Sequence, residues 1–179
     1  MSMMKTPPTS FSANTPFYLC AVAVLVWLTH TALSTKTLRF LDGVNLVFHE
    51  AGHWLFFWAP EYVMVLGGTV GQLSIPIVCA YAFWRERKTL STILMIWWFG
   101  QSLVGVSVYM SDARAQNLPL LGGDGSGHDW AYLLGELHLL PYDQLLGTVV
   151  FFTASSIMVF STLLLCSGLW QALSARTHE

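Results

Sequence analysis

The sequence predicts an all-α, polytopic transmembrane helix bundle of about five spans. The 179-residue chain is 54% hydrophobic and only 10% charged, and its mean hydropathy is +0.55. A soluble domain usually carries about 25% charged residues. The apolar residues also fall in runs that approach or exceed the roughly 20 residues that a helix needs to cross a bilayer. The net charge of −2 and the lack of a basic stripe argue against nucleic acid as a partner.

The chain divides into a polar tail and one membrane domain. Residues 1–16 are expected to be a disordered tail, and residues 17–175 a single transmembrane domain. The predicted spans are Phe17–Leu33, Val44–Ala59, Tyr62–Trp84, Leu90–Met110 and Leu145–Leu173. The first is interpreted as a retained helix rather than a cleaved signal peptide, because no convincing small-residue cleavage site follows it. A glycine-rich polar stretch and a short amphipathic segment, residues 130–140, precede the last span.

The third run is expected to be an interrupted membrane segment, because Gly67, Gly68, Gly71 and Pro76 make a poor continuous helix. Irregular backbone at membrane depth is tolerated only where it is buried in protein or lines a wet cavity. Such a segment can bind an extended peptide by strand addition, which makes Gly67, Gly68 and Gln72 candidate substrate-binding residues. Close helix packing through small residues is an equally weighted alternative.

The basic residues orient the predicted spans. With five spans, six of the eight Lys and Arg residues fall on one side of the membrane. They are Lys36, Arg39, Arg85, Arg87, Lys88 and Arg176. The positive-inside rule then places the N-terminus outside and the C-terminus in the cytoplasm.

A possible metal motif lies in the second run, as His49-Glu50-Ala51-Gly52-His53. Histidines at i and i+4 share one face of a helix and can bind a single Zn²⁺ ion. Zinc lowers the pKa of a bound water towards about 7, and Glu50 is placed to take the proton as general base. A buried polar cluster that pairs helices is the alternative, but a glutamate between two histidines in an apolar helix is costly unless it is used.

A third protein ligand is needed, because catalytic zinc usually has three. Asp112 and His128 are the leading candidates. His53 lies seven residues before Pro60, or roughly 10 Å below the outer boundary, and both candidates fall on the same outer side. One can serve as ligand while the other orients a histidine. Two further aspartates are weaker candidates, Asp124 and Asp129.

Both leading candidates also have structural interpretations. His128 can be a loop residue before a helix that Asp129 caps. Asp112 can pair with Arg114 or lie exposed at a helix end. The residues alone leave these alternatives open.

The sequence Phe48-His49-Glu50-Ala51-Gly52-His53, followed by Gly67-Gly68, resembles the site-2-protease-like membrane zinc metallopeptidases over roughly residues 44–76. The resemblance implies that His49 and His53 bind zinc, that Glu50 is the catalytic base and that the substrate is a peptide bond in or near the membrane. The family's third ligand is the aspartate of an Asp-Gly pair preceded by Asn and Pro, a pattern that neither Asp-Gly pair of this chain matches in setting. Residues 112–130 resemble uncharacterised bacterial membrane proteins related to this group, which implies a bacterial inner membrane.

The leading expectation is therefore a membrane-embedded zinc metallopeptidase. Its partners would be the lipid bilayer and a peptide or membrane-protein substrate. A membrane zinc hydrolase of a lipid amide or ester is one alternative. A non-catalytic metal-binding subunit of a membrane complex is the other.

Overall fold

The computed structural model describes residues 15–119, 121 and 127–176, and this part of the chain contains six α-helices and no β-strand. They are α1 (Thr15–Thr35), α2 (Arg39–Leu55), α3 (Glu61–Arg85), α4 (Thr89–Ser111), α5 (Asp129–Glu136) and α6 (Asp143–Arg176). A short 3-10 turn, Leu140–Tyr142, leads into α6. The all-α helix bundle is confirmed. Most of the expected tail lies outside the described residues, and its last two residues, Thr15 and Pro16, already belong to α1.

Within the part of the chain that the structure describes, four helical segments are long and apolar enough to cross a membrane, and the chain is a membrane protein. They are Pro16–Thr35, Glu61–Arg85, Thr89–Ser111 and Leu140–Gln171. The remaining predicted span is α2, which has only 17 residues. At 1.5 Å per residue it is about 25 Å long, short of the roughly 30 Å hydrocarbon layer.

Helix α6 lies antiparallel to α4, and small residues bring the two helices together. Gly100 lies against Met158, while Gly147 lies against Ser111 and Ser107 near the other end of the pair. Because residue numbers rise in α4 as they fall in α6, the end of α4 lies beside the start of α6.

Helix α1 also lies antiparallel to α6. The Thr29 and Thr162 hydroxyl groups share a hydrogen bond of 3.0 Å, and Lys36 Nζ lies 4.9 Å from the centre of the Phe151 ring. The start of α1, the end of α6 and the turn between α3 and α4 therefore share one end of the bundle. Helix α3 runs towards this end of the bundle, and α1 runs away from it. Because α2 is antiparallel to α3, it also runs away from this end, in the same direction as α1.

Helix α3 is unbroken through the positions at which the sequence predicted an interruption. Its glycines lie where α2 approaches most closely. A Cβ atom on Gly71 would lie 2.6 Å from the Phe48 carbonyl oxygen, and one on Gly52 would overlap the Gly67 carbonyl oxygen. This geometry favours close helix packing over strand addition, because the backbone groups of a continuous helix are already bonded within it.

Candidate metal centre

The structure brings three potential ligands together at the contact between α2 and α5. His49 and His53 come from successive turns of α2, and Asp129 is the first residue of α5. Asp129 Oδ2 lies 2.7 Å from His49 Nε2 and 3.2 Å from His53 Nε2, and the two Nε2 atoms are 3.1 Å apart. Among the described residues, these three form the group of ligand atoms that can hold a metal ion. We call it the His-His-Asp group.

The opposite ring nitrogens fix the tautomer of both histidines. His53 Nδ1 lies 2.9 Å from the Met64 carbonyl oxygen, which can only accept, so Nδ1 carries the proton. His49 Nδ1 lies 3.2 Å from Gln72 Oε1. The Gln72 amide is oriented because its Nε2 donates to the Ser102 carbonyl at 3.2 Å, which leaves Oε1 as an acceptor. In the neutral form of each ring, Nε2 therefore presents its lone pair to the centre of the group.

Two imidazole lone pairs and a carboxylate oxygen cannot lie this close without a cation or extra protons between them. Zinc bonds of 2.0–2.2 Å in a tetrahedral site place ligand atoms about 3.3 Å apart. The observed separations of 2.7–3.2 Å need to widen by about 0.1–0.6 Å. The donor set of two His and one Asp suits zinc, so the residues fit this ion.

Asp129 is held in the charged form that a metal requires. Burial raises the pKa of its carboxyl group, but hydrogen bonds that His49 and His53 donate from protonated Nε2 atoms outweigh burial and lower the pKa to about 2. The backbone N–H of Asp129 donates to the Tyr109 hydroxyl oxygen at 3.2 Å, which ties the start of α5 to α4. The carboxylate is therefore both charged and positioned.

Glu50 lies beside the His-His-Asp group in a large open cavity of about 1240 Å³. The cavity is bounded by α2, α3, α4 and α5, and it extends from Lys36 at the end of α1 to Glu61 at the start of α3. Its volume exceeds the roughly 300–1,000 Å³ of most small-ligand pockets. Glu50 is half-buried, and no hydrogen bond or ion pair engages its side chain within the described part of the chain. Its carboxylate is free to act on a molecule in the cavity.

The structure places neither His128 nor Asp112 in the His-His-Asp group. His128 caps α5, because its Nδ1 accepts from the Ala131 backbone N–H at 3.3 Å. Its Nε2 is buried 3.5 Å from Asp112 Oδ2, and burial lowers the pKa of His128 against the opposing effect of that carboxylate. Asp112 in turn accepts from the backbone N–H groups of Asn117 and Leu118. The two residues therefore brace the region that carries Asp129. Asp124 lies outside the described residues.

The three candidate substrate-binding residues lie on the face of α3 that packs against α2 and its histidines. Gln72 is buried and orients His49, and Gly67 packs against α2. Gly68 faces both imidazole rings, since a Cβ atom there would lie 2.5 Å from His53 Nε2 and 2.7 Å from His49 Cε1. These three positions therefore form the α3 side of the His-His-Asp group.

Two residues at the site, Asp129 and Tyr109, were not marked clearly by the sequence. Asp129 ranked below its neighbour His128, although both lie at the start of the same helix. Tyr109 is one of six tyrosines, and nothing in its local sequence marks it as part of a site.

No family model, curated protein or solved structure matches the chain. The fold and the site together define a membrane helix bundle with a possible His/Asp metal-binding group.

Proposed function

We propose that this protein is a membrane-embedded zinc-dependent metallopeptidase in which His49, His53 and Asp129 hold the ion and Glu50 is the general base. The observation that carries the proposal is the pair of histidines whose tautomers direct both Nε2 lone pairs at one carboxylate. A free carboxylate, Glu50, lies in the same cavity. The resemblance of the HEAGH segment to site-2-protease-like enzymes supports the same reading.

The chemistry requires a base beside the metal. Zinc, when bound, lowers the pKa of a coordinated water and polarises a carbonyl group. Glu50 accepts the proton of the attacking water and returns it to the leaving nitrogen. Gln72 and the Met64 carbonyl keep the histidines in the tautomer that binds metal.

The cavity favours a peptide substrate by its length, because it extends along most of α2 and past both ends of it. Apolar side chains also line it, including Leu46, Val65 and Val108, and these suit an acyl chain as well. Hydrolysis of a lipid amide or ester is therefore the second candidate activity at the same site.

We further propose that the chain lies in a bacterial inner membrane with both termini in the cytoplasm. The antiparallel pairing of α1 with α6 supports two termini on one side, in place of the opposite sides expected from five alternating spans. Arg85, Arg87 and Lys88 lie at that end, and the positive-inside rule makes it cytoplasmic. The metal centre then opens towards the outer side.

The proposal is tested by zinc stoichiometry and turnover of the purified protein. Wild type should bind one equivalent of zinc, and Asp129→Asn should lose it whereas Asp112→Asn keeps it. Glu50→Gln should keep zinc and lose turnover of peptide substrates, and Glu136→Gln, an exposed glutamate at the end of α5, is the matched control. A wild-type protein without zinc, or an active Glu50→Gln variant, would refute the proposal. If Glu50→Gln co-purifies with a lipid and no peptide, the result would favour hydrolysis of a lipid amide or ester over hydrolysis of a peptide.

A further inference from the structure

Tyr109 lies on α4 and lines the cavity close to the His-His-Asp group. The centre of its ring is 6.1 Å from that of His49 and 4.2 Å from that of His128. Its hydroxyl oxygen accepts the backbone N–H of Asp129 at 3.2 Å. Asp129 also supplies the carboxylate of the group. A single residue therefore connects the Tyr109 hydroxyl to the proposed metal centre.

The hydroxyl of Tyr109 still has a proton to donate. A phenolic group can accept and donate at once. The accepting side is used by Asp129, and no acceptor for the proton is found among the described residues. A tilted contact with the buried His128 ring, with the ring centres 4.2 Å apart, restrains the phenol, so the free donor is held in place before any substrate arrives.

We propose that Tyr109 is a catalytic residue whose hydroxyl donates a hydrogen bond to the oxyanion of the tetrahedral intermediate. This inference rests on the proposed hydrolase function. A donor fixed in advance where negative charge develops is the arrangement that lowers the barrier of acyl transfer. A purely structural role would use only the accepting side of the hydroxyl, and it would not require the phenol to line the cavity.

The water oxygen forms a bond to the carbonyl carbon, and the π electron pair of the carbonyl moves onto its oxygen while Glu50 takes the water proton. Tyr109 donates a hydrogen bond to that oxygen and keeps its own proton. The electron pair returns as the carbon–nitrogen bond breaks, and the nitrogen takes the proton from Glu50. The products are a carboxylic acid and an amine.

The test uses the full chain in detergent with Co²⁺ or Zn²⁺ in the site. Phenylphosphonate, a tetrahedral anion, mimics the oxyanion, and imidazole binds metal without one. Tyr109→Phe should keep one metal equivalent and bind phenylphosphonate about 10- to 100-fold more weakly, as expected for loss of one hydrogen bond to a charged group. Imidazole affinity, read from the Co²⁺ visible spectrum, should stay the same. Tyr81→Phe, at an exposed tyrosine of α3, is the control.

Several outcomes separate the two proposals. Unchanged phenylphosphonate affinity in Tyr109→Phe would overturn the catalytic role and leave the hydrolase proposal intact. If Tyr109→Phe loses metal while an unchanged thermal midpoint shows that it is folded, Tyr109 is only a positioning residue. That result would also overturn the catalytic role. Failure of the wild type to bind metal would overturn the hydrolase proposal, and this inference with it. With a peptide substrate in hand, kcat should fall about 10²- to 10³-fold with little change in KM.

Discussion

Replacing Gly68 by alanine should remove zinc and leave the fold in place. The new Cβ atom would lie 2.5 Å from His53 Nε2, 2.6 Å from His53 Cε1 and 2.7 Å from His49 Cε1, whereas ordinary contacts begin at 3.4 Å. The His53 ring must therefore shift by about 0.9 Å, from 3.4 − 2.5. Metal–ligand distances tolerate only about ±0.2 Å. Since perturbing even outer partners of a ligand weakens metal binding about 10- to 100-fold, we expect a loss of at least about 100-fold here.

The same change should have a small effect on folding. Alanine is better than glycine in a helix interior by about 1 kcal/mol, and overpacking costs about 1–3 kcal/mol. The net loss is at most about 2 kcal/mol, because the atoms that must move are ring atoms and not backbone. The assay compares zinc affinity, by competition with a chromophoric chelator, with the thermal midpoint of the same preparation.

Alanine substitutions at two other glycines, Gly43 and Gly52, serve as controls. Gly43→Ala lies on α2 with no atom within 4 Å of the new Cβ, so it should keep zinc and gain about 0.4–1 kcal/mol of stability. Gly52→Ala drives its Cβ into the Gly67 carbonyl group, so it should yield little folded protein. If Gly68→Ala bound zinc with wild-type affinity, the inferred placement of the histidine rings would be refuted.

Three further outcomes follow from the same geometry. Gln72→Leu removes the acceptor that fixes His49, and it should weaken zinc binding about 10- to 100-fold in the chelator competition, whereas wild-type affinity would contradict the tautomer argument. Gln101→Leu removes hydrogen bonds to Asp42 and Asn45, which lie about two turns and one turn of α2 before His49, and it should lower the free energy of unfolding by about 1–3 kcal/mol. Zinc should be retained, because Gln101 bonds to none of the three ligands. As the pH is lowered, zinc should be released before about pH 4 is reached, because protons compete with zinc for the imidazole nitrogens. The lowered pKa of Asp129, about 2, keeps that carboxylate charged until far lower pH, so release only near pH 2 would argue against histidine ligation.

The hydropathy of the sequence was sufficient to predict the helices. The run Phe17–Leu33 became Thr15–Thr35, and Leu90–Met110 became Thr89–Ser111, because long apolar runs have few other ways to satisfy their backbone in a membrane. The direction of α2 was not predictable. Only three residues, including Lys36 with a φ of 55°, separate it from α1, and hydropathy does not say whether such a linker reverses the chain.

The site was predictable in part. The i, i+4 spacing placed His49 and His53 on one face, which the structure shows. The third member could not be chosen from sequence, because His128 and Asp129 are adjacent and their side chains leave the start of α5 in different directions. His128 turns back to cap its own helix, and Asp129 points to α2. That choice depends on the backbone torsions of one residue.

The proposed hydrolysis needs water at the His-His-Asp group, and the short length of α2 bears on that supply. His53 lies two residues and His49 six residues before the end of α2 at Leu55, or about 3 Å and 9 Å along the helix axis. The His-His-Asp group is therefore close to the turn between α2 and α3 and not at the middle of a full-length span. The close α2–α3 contact at Gly52 and Gly67 brings the His53 ring to the Met64 carbonyl group near the same end. Packing thus orients the ligands, and the position along α2 gives water a short path to them.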